Sequence, residues 1–374
     1  MDKVFFLTGA FPPQTGGELY NYKLSQHLEA VGIPQEYVDL HRRRKYLRLA
    51  KIPILGEFLV SLILAMLLYR CQGILVEDHY FSKYLFLTNI IQRFFRKGKI
   101  IVLVHLFYGY DSKDGFWLRR FFYSIQEKSR LSFADLIITS SEYSKQEIVS
   151  LGINPQSVYV LSPGLDREKF TISPKTEKDT TNKKVLCIAN YISRKGLLYL
   201  IEAFAQIKRH DFTLHLVGNP KNNSVYYKKM LAFVEKQQMT DCVFFHNGAD
   251  QENIKQLYST ADIFALPSLK ETFGIVLIEA MHYGLPIITT NVSAMPELVQ
   301  DGENGLLVPP ANSQRLAQAL SKLMANPELR QDMGQKGRER VNNSYHWEQT
   351  SAEFLAIVQQ LSNSEKLELQ APTG

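Results

Sequence analysis

The sequence predicts an α/β protein: two parallel sheets, each covered on both faces by helices, in two domains placed in tandem. Three observations predict it. With 374 residues and 45% hydrophobic content the chain can fill two cores, at roughly 100–200 residues per domain. Short continuous apolar runs alternate with longer helical stretches, the pattern of strands buried on both faces. The alternation halts once, at the polar and charged "TISPKTEKDTTNKK" of 171–184, and then restarts, as it would across an interdomain linker.

The elements follow in order. In the first half "KVFFL" precedes a helical 17–31, "GILVE" a helical 82–96, and "KIIVLVH" a helical 116–133, with "DLIITS" after it. In the second half the strands are "KVLCIA", "FTLHLVG", "CVFFHNG", "DIFALPS", "PIITT" and "GLLVP", with helices over 196–208, 224–238, 251–260, 273–283 and 312–325. We therefore expect Rossmann-like domains at 1–170 and 184–345, a linker at 171–183 and a cleft between the domains. A last helix over 346–361 is expected to pack back on the first domain. The tail 362–374 is polar and ends in "APTG", so it is expected to be disordered.

Composition excludes several classes. The cysteines Cys71, Cys187 and Cys242 are three in number and far apart, which gives neither a disulfide framework nor a C-x-x-C motif. A reducing cytoplasm fits that usage. "MDKVFFLTGAFPP" reads as a strand entering a Pro-rich loop, not as a secretion signal. No D-x-D and no clustered His/Cys spacing points to a protein metal site. The basic residues are not interleaved with stacking aromatics as in a nucleic-acid module, so no nucleic-acid partner is expected.

The net charge of +6 is uneven: residues 1–170 hold 22 Lys+Arg against 16 Asp+Glu, and 171–374 hold 21 against 21. The surplus is therefore N-terminal, and it is densest in "HRRRKYLRLAK", 41–51, six basic residues and no acid. The charge-free "FLVSLILAMLLY" of 58–69 follows, too short for the ~20 residues of a spanning helix. One reading makes 41–69 a surface that meets an anionic membrane, at roughly 1 kcal/mol per well-placed cation. The other makes it a solvated basic loop followed by a core helix.

The stretch "KETFGIVLIEAMHYGLP", 270–286, carries Glu271 and Glu279 around an apolar run. Gly274 starts a helix that Gly284 and Pro286 end, which leaves Glu271 in the loop ahead of it. The exposed first-turn amides from Gly274 through Ile275 to Val276 form an anion site. A diphosphate there would extend a sugar toward Glu271 and a ribose toward Glu279, and carboxylates accept from vicinal hydroxyls. Taken singly, Glu279 reads as a solvated helix residue and Glu271 as an acid favoured by the helix dipole. "YISRKGLLYLIEAF" sets Arg194 and Lys195 between a strand and a helix, where such sheets bind phosphate; an ordinary basic turn is the plainer alternative. Gly16 and Gly17 in "FPPQTGGELY" occupy the equivalent turn of the first domain, and His105 ends "IIVLVH" at the carboxyl edge of its strand.

Together and in order these pieces resemble the family 4 retaining glycosyltransferases, whose GT-B fold is two Rossmann-like domains facing across a cleft. The resemblance runs through "FPPQTGGELYNYKLSQHL", "VHLF", "ADLIITSSEYSKQEI", "VLSPGLDREKF" and "RKGLLYLIEAF", and is dense in "YSTADIFALPSLKETFGIVLIEAMHYGLPIITT" and "PELVQDGENGLLVPP". It implies an N-terminal acceptor-binding domain and a C-terminal nucleotide-sugar-binding domain. His105, Lys195 and Glu271 would be catalytic. Gly16, Gly17, Asn190, Arg194, Phe273, Gly274, Ile275, Val276 and Glu279 would bind the donor. No cofactor is implied beyond the UDP- or GDP-sugar itself. The implied reaction moves a glucose- or mannose-type hexose to a sugar or lipid-linked acceptor, as in cell-envelope polysaccharide, glycolipid or lipid-linked glycan synthesis. It would take place in the cytoplasm, with peripheral contact at the inner membrane face if 41–69 meets lipid.

The chain departs from the family in two places, the smaller being Pro163 in "VLSPGLD", where the family has Asn. Asn190 stands where the family's G-R-x-x-x-x-K-G pattern has arginine, so a bidentate phosphate ligand is absent. This leaves open a non-catalytic nucleotide-sugar-binding or partner subunit of the same fold. A sugar-nucleotide epimerase would need acid/base carboxylates in 1–170 that nothing there singles out.

Overall fold

The computed structural model describes residues 2–8, 16–39, 55–68, 73–78, 82–95, 98–105, 117–171, 183–207 and 211–370. The basic stretch 41–51, the "FPPQT" turn and all but the ends of the expected linker lie outside the described residues. The chain divides into two compact units, Met1–Gly164 with Trp347–Gly374, and Leu165–His346. Leu165–Phe170 thus join the second unit, not the first as expected, because Phe170 is buried there with its ring 6.0 Å from Tyr258.

The first unit carries the parallel strands β1 (Val4–Thr8), β2 (Gln35–Asp39), β3 (Gly73–Asp78), β4 (Gly98–Val104), β5 (Leu136–Thr139) and β6 (Val158–Val160), in the order β2-β1-β3-β4-β5-β6. Helices α1 (Gly16–Ala30), α2 (Leu55–Leu68), α3 (Ser82–Phe95), α4 (Trp117–Ser132) and α5 (Glu142–Ser150) connect them. Interior strands such as β3, with "ILV" at 74–76, are apolar at successive positions because both faces are covered. Strand β2 at one edge mixes polar with apolar residues, and β6 at the other is only three residues long, which is why neither shows as an apolar run. Helix α2 is a core helix on one side: Val60, Leu64 and Leu68 pack with Phe5, Leu7 and Leu75. On its other side Phe58, Leu59 and Met66 are exposed.

The second unit repeats the plan with β7 (Lys183–Ile188), β8 (Phe212–Gly218), β9 (Val243–Asn247), β10 (Ile263–Leu266), β11 (Ile287–Thr290) and β12 (Gly305–Val308), all parallel, in the order β12-β11-β10-β7-β8-β9. Its helices are α6 (Leu197–Ala205), α7 (Ser224–Lys236), α8 (Gln251–Thr260), α9 (Ile275–His282), α10 (Met295–Leu298), α11 (Ser313–Ala325) and α12 (Pro327–Ser344). One core runs through both faces of this sheet.

Helix α12 has no counterpart in the sequence expectations. Two of its buried positions are glycines, Gly334 and Gly337. A Cβ on Gly334 would lie 2.0 Å from the Gly284 carbonyl oxygen, so α12 packs by close backbone approach and shows no apolar stripe. Arg338 then donates from Nε to His282 O and from Nη2 to Tyr283 O, each at 3.0 Å, satisfying carbonyls that α9 leaves open at its end.

The C-terminal helix α13 (Trp347–Gln370) buries Trp347, Phe354, Ile357 and Val358 with Val4, Phe6, Ile74 and Val76 of the first unit. It does not stop at 361, and the expected disordered tail is helical as far as Gln370. "EKLELQ" is made of good helix formers, and no Gly or Pro interrupts before Pro372. Ser362 is buried: it donates to Asp2 Oδ2 at 2.9 Å and accepts from the Asp2 amide at 3.2 Å. Among the described residues no helix is long and apolar enough to cross a membrane.

Candidate functional site

The strand order of the second sheet reverses direction between β7 and β10. The crevice outside the carboxyl ends of such a pair is where open α/β sheets hold ligands. The loop leaving β7 carries Asn190, Arg194 and Lys195, and the loop leaving β10 carries Glu271, Phe273 and Gly274. Two bonds stitch these loops together: Leu269 N donates to Arg194 O at 2.7 Å, and Arg194 Nη1 donates to Lys270 O at 2.9 Å.

Lys195 Nζ donates to a Glu271 carboxylate oxygen in an ion pair, and Arg194 Nη1 lies 4.0 Å from the other oxygen. Glu271 is 7% exposed. Burial pushes its pKa up, but the charges of Lys195 and Arg194, with hydrogen bonds from Lys195 and the Thr272 amide, outweigh burial and the net shift is downward. The result is an ionised carboxylate held beside two cations. A 3-10 turn over Ser193–Lys195 brings both cations toward Glu271. Asn190 is exposed at the start of the same loop, its carbonyl accepting from Ile192 N at 2.8 Å.

Helix α9 starts at Ile275, two residues later than expected, because Gly274 caps it with φ +91°. The first-turn amides of Ile275 and Val276 have no acceptor within the helix. Phe273 is buried, its ring 5.9 Å from Tyr345. Glu279 is not the solvated helix residue of the plain reading: it is 8% exposed, and its Oε2 accepts from Tyr258 Oη at 2.8 Å. Burial raises its pKa to about 7, offset only in part by the Tyr258 bond and the charge of Lys169, while Asp166 adds to the rise. Tyr258 went unread because it lies on α8, 21 residues away.

Beyond the carboxyl end of β9 is a cavity of about 420 Å³ lined by His246–Asp250 with Asn253, Gln256 and Leu257. Among the described residues no group of His, Cys, Asp and Glu is placed to hold a metal ion.

In the first unit the reversal falls between β1 and β3. Gly16 and Gly17 open α1, and Gly17 packs on His105: a Cβ there would sit 2.9 Å from His105 Cδ2. His105 follows β4. Its Nε2 is 2.8 Å from Asn21 Oδ1, and Asn21 Nδ2 donates to Asp78 Oδ2 at 2.6 Å. Burial lowers the His105 pKa, with Asp78 opposing the shift. Sequence reading missed Asn21 and Asp78, though both left a trace. Asn21 shares the buried face of α1 with Leu24 and Leu28, and Asp78 ends an apolar strand.

Comparison with known proteins follows the same lines. The family described as glycosyl transferases group 1 matches residues 168–340. An MMP alpha-(1->4)-mannosyltransferase of Mycolicibacterium hassiacum is 26% identical over 239 residues, 63% of this chain and 56% of that protein. The chain therefore spans less than two thirds of that relative's length. Sucrose-phosphate synthase from Thermosynechococcus elongatus superposes with a TM-score of 0.81 at 21% identity, covering 97% of this chain and 100% of that one. Anabaena HepE, solved in complex with UDP and glucose, gives 0.75 at 20% identity over 96% and 100%. These likenesses establish the GT-B fold.

Proposed function

We propose that the chain, whose residues 168–340 match the family described as glycosyl transferases group 1, is a glycosyl transferase of that group and moves a glucose- or mannose-type hexose from a UDP- or GDP-sugar to an acceptor hydroxyl, retaining anomeric configuration. The observation that carries this reading is the Lys195–Glu271 pair at the switch point of the second sheet, with Arg194 beside it. As the bond from the sugar to the diphosphate breaks, its electron pair goes to phosphate oxygen, and Lys195 with Arg194 stabilises the growing charge. The acceptor oxygen bonds to the same face of the sugar carbon, and its proton goes to a donor phosphate oxygen. No protein nucleophile takes part in this scheme. Glu271 accepts from sugar hydroxyls, the amides from Phe273 to Val276 hold the diphosphate, and Glu279 accepts from the ribose. His105 is assigned to the sugar, Gly16 and Gly17 to the diphosphate, and Asn190 to the donor loop without the charge of an arginine. The base is assigned to the cavity at His246–Asp250.

A thermal-shift panel with UDP, GDP, ADP and TDP tests donor binding. A selective nucleotide at 100 times its dissociation constant should stabilise the fold by about 2.7 kcal/mol. Silence from all four would sink the reading. A shift without sugar transfer would favour the non-catalytic subunit, the reading that Asn190 motivates.

Running the panel at pH 6 and pH 8 also tests Glu279. Its folded pKa of about 7 stands above the ordinary 4.5, so its stabilising contribution is complete below about 4.5 and is lost as pH rises through 7. Ribose hydroxyls prefer the ionised form, so nucleotide-induced stabilisation should be larger at pH 8 than at pH 6. In Glu279→Gln that difference should vanish; its persistence would place the ribose elsewhere.

For the acceptor we propose a lipid-linked or membrane-borne hydroxyl, with the chain acting on the cytoplasmic face. Support comes from the exposed Phe58, Leu59 and Met66 of α2, which follow the basic stretch 41–51 in the sequence. Co-sedimentation should be stronger with vesicles containing anionic phosphatidylglycerol than with neutral phosphatidylcholine vesicles. Equal binding to both would remove the membrane contact.

A further inference from the structure

His105, Asn21 and Asp78 come from three elements that meet at the carboxyl edge of the first sheet: the residue after β4, the second turn of α1 and the last residue of β3. All three are at least partly buried, and Asp78 and Asn21 are 4% exposed. Asp78 as a carboxylate can only accept, and of the two ends of an amide only the nitrogen donates. Asn21 must therefore turn Nδ2 to Asp78, where the distance is 2.6 Å, and Oδ1 to His105. Flipping the amide would set its oxygen against the carboxylate. Because Asn21 Oδ1 is itself only an acceptor, the ring nitrogen 2.8 Å from it has to carry the hydrogen. That nitrogen is Nε2.

The ring has little room to choose otherwise. The Tyr20 ring packs against it in a T-shaped pair, ring centroids 5.3 Å apart at 75°. Tyr20 is anchored in turn by donating to Leu161 O at 3.0 Å. The α1 backbone at Gly17 closes another side, with no space for a Cβ.

We propose that Asn21 and Asp78 are positioning residues that hold His105 as the Nε2–H tautomer, leaving Nδ1 as a hydrogen-bond acceptor for a substrate hydroxyl. The tautomer follows from the three side chains alone; the use of Nδ1 rests on the proposed assignment of His105 to the sugar. His105 then acts by accepting from a hydroxyl and not as a general acid, since its one ring hydrogen is committed to Asn21. The tautomer of a histidine is commonly set in this way, by the bond its other nitrogen makes.

The test is long-range ¹H–¹⁵N NMR of the full chain with ¹⁵N-labelled histidine, the His105 signals assigned by their loss in His105→Gln. At pH 7 wild type should show a single neutral tautomer protonated at Nε2. In Asp78→Asn the amide partner of Asn21 no longer dictates its orientation, and a mixture of tautomers should appear. A wild-type ring that is protonated at Nδ1, or doubly protonated at pH 7, overturns the proposal without any variant. So does a folded Asp78→Asn that keeps the pure Nε2–H form. With UDP-glucose as probe, release of UDP should slow on the order of 10- to 100-fold in Asp78→Asn, through kcat more than KM, as expected for a misplaced ring. An unchanged kcat beside a mixed tautomer overturns the assigned use of Nδ1. If wild type does not turn over UDP-glucose, the rate comparison is made with GDP-mannose as probe, and the ring measurement decides the tautomer in either case.

Discussion

Replacing Lys195 by methionine is expected to lower sugar transfer by about 10²–10³-fold, the loss seen when one preorganised group facing a developing anion is removed. It should also destabilise the fold. Glu271 is buried with Lys195 as its hydrogen-bonded cation, and breaking a buried pair from one side leaves the other charge uncompensated, at about 3–5 kcal/mol. Arg194 at 4.0 Å remains to moderate that cost, so the lower end is expected. Glu271→Gln keeps an acceptor for Lys195 and should cost less stability, yet it removes the charge that strengthens bonds to sugar hydroxyls. The double variant Lys195→Met with Glu271→Gln should therefore melt higher than Lys195→Met alone, since no orphaned carboxylate is left. Additive losses in melting would show that the pair is not coupled, and single-variant rates within tenfold of wild type that it is not part of the chemistry. The pH dependence has a defined sign. Because the Glu271 pKa is lowered on folding, its contribution is present above the ordinary carboxylate value near 4.5 and is lost as pH falls through the depressed one.

Gly196→Ala is expected to be the most damaging single-methyl addition in the second unit's site. Gly196 has φ +68°, and a Cβ there would lie 1.9 Å from the Pro267 carbonyl oxygen and 3.0 Å from its carbonyl carbon. The obstacle is backbone and cannot rotate away. Left-handed strain of about 1–2 kcal/mol and overpacking of about 1–3 kcal/mol add, so a loss of roughly 3 kcal/mol or more is expected. Whatever relief the chain finds must part the Arg194–Lys195 turn from the Pro267–Glu271 loop. Lys195 would then move away from Glu271, and transfer should drop by about 10²-fold for an ångström of displacement. Gly302→Ala supplies the comparison: Gly302 has φ +82°, and nothing lies within 4 Å of its Cβ position. It should show only the left-handed strain and leave transfer intact. Chemical denaturation of both variants checks this. Equal losses would mean that close approach at Gly196 contributes nothing.

Much of the fold was legible in the sequence because its determinants are local. Interior strands such as "VLCI" and "IFAL" are buried on both faces and so are apolar at every position. The edge strands were hidden for two reasons: β2 mixes polar with apolar residues, and β6 is only three residues long. Helix α12 hid for a different reason: it packs through Gly334 and Gly337, which add no apolar side chain to a hydrophobic stripe. The end of α13 was hidden because its tail is polar, while the bond that ties it down, between Ser362 and Asp2, spans 360 residues.

At the candidate site the division is similar. The sequence by itself determined the residue types and their local settings: a cationic turn after one strand, a carboxylate in the loop after another, a helix opened by glycine, and a histidine at a strand end. Tertiary structure alone decided which of these meet. Lys195 and Glu271 are 76 residues apart, and they touch because the sheet sets β7 beside β10. Tyr258 reaches Glu279 across two helices, and Asp78 reaches His105 through Asn21. Patterns of burial and turn formation act over about a dozen residues and leave their mark in sequence, whereas the neighbour of a buried charge is chosen by strand order and helix packing, to which no single local stretch is committed.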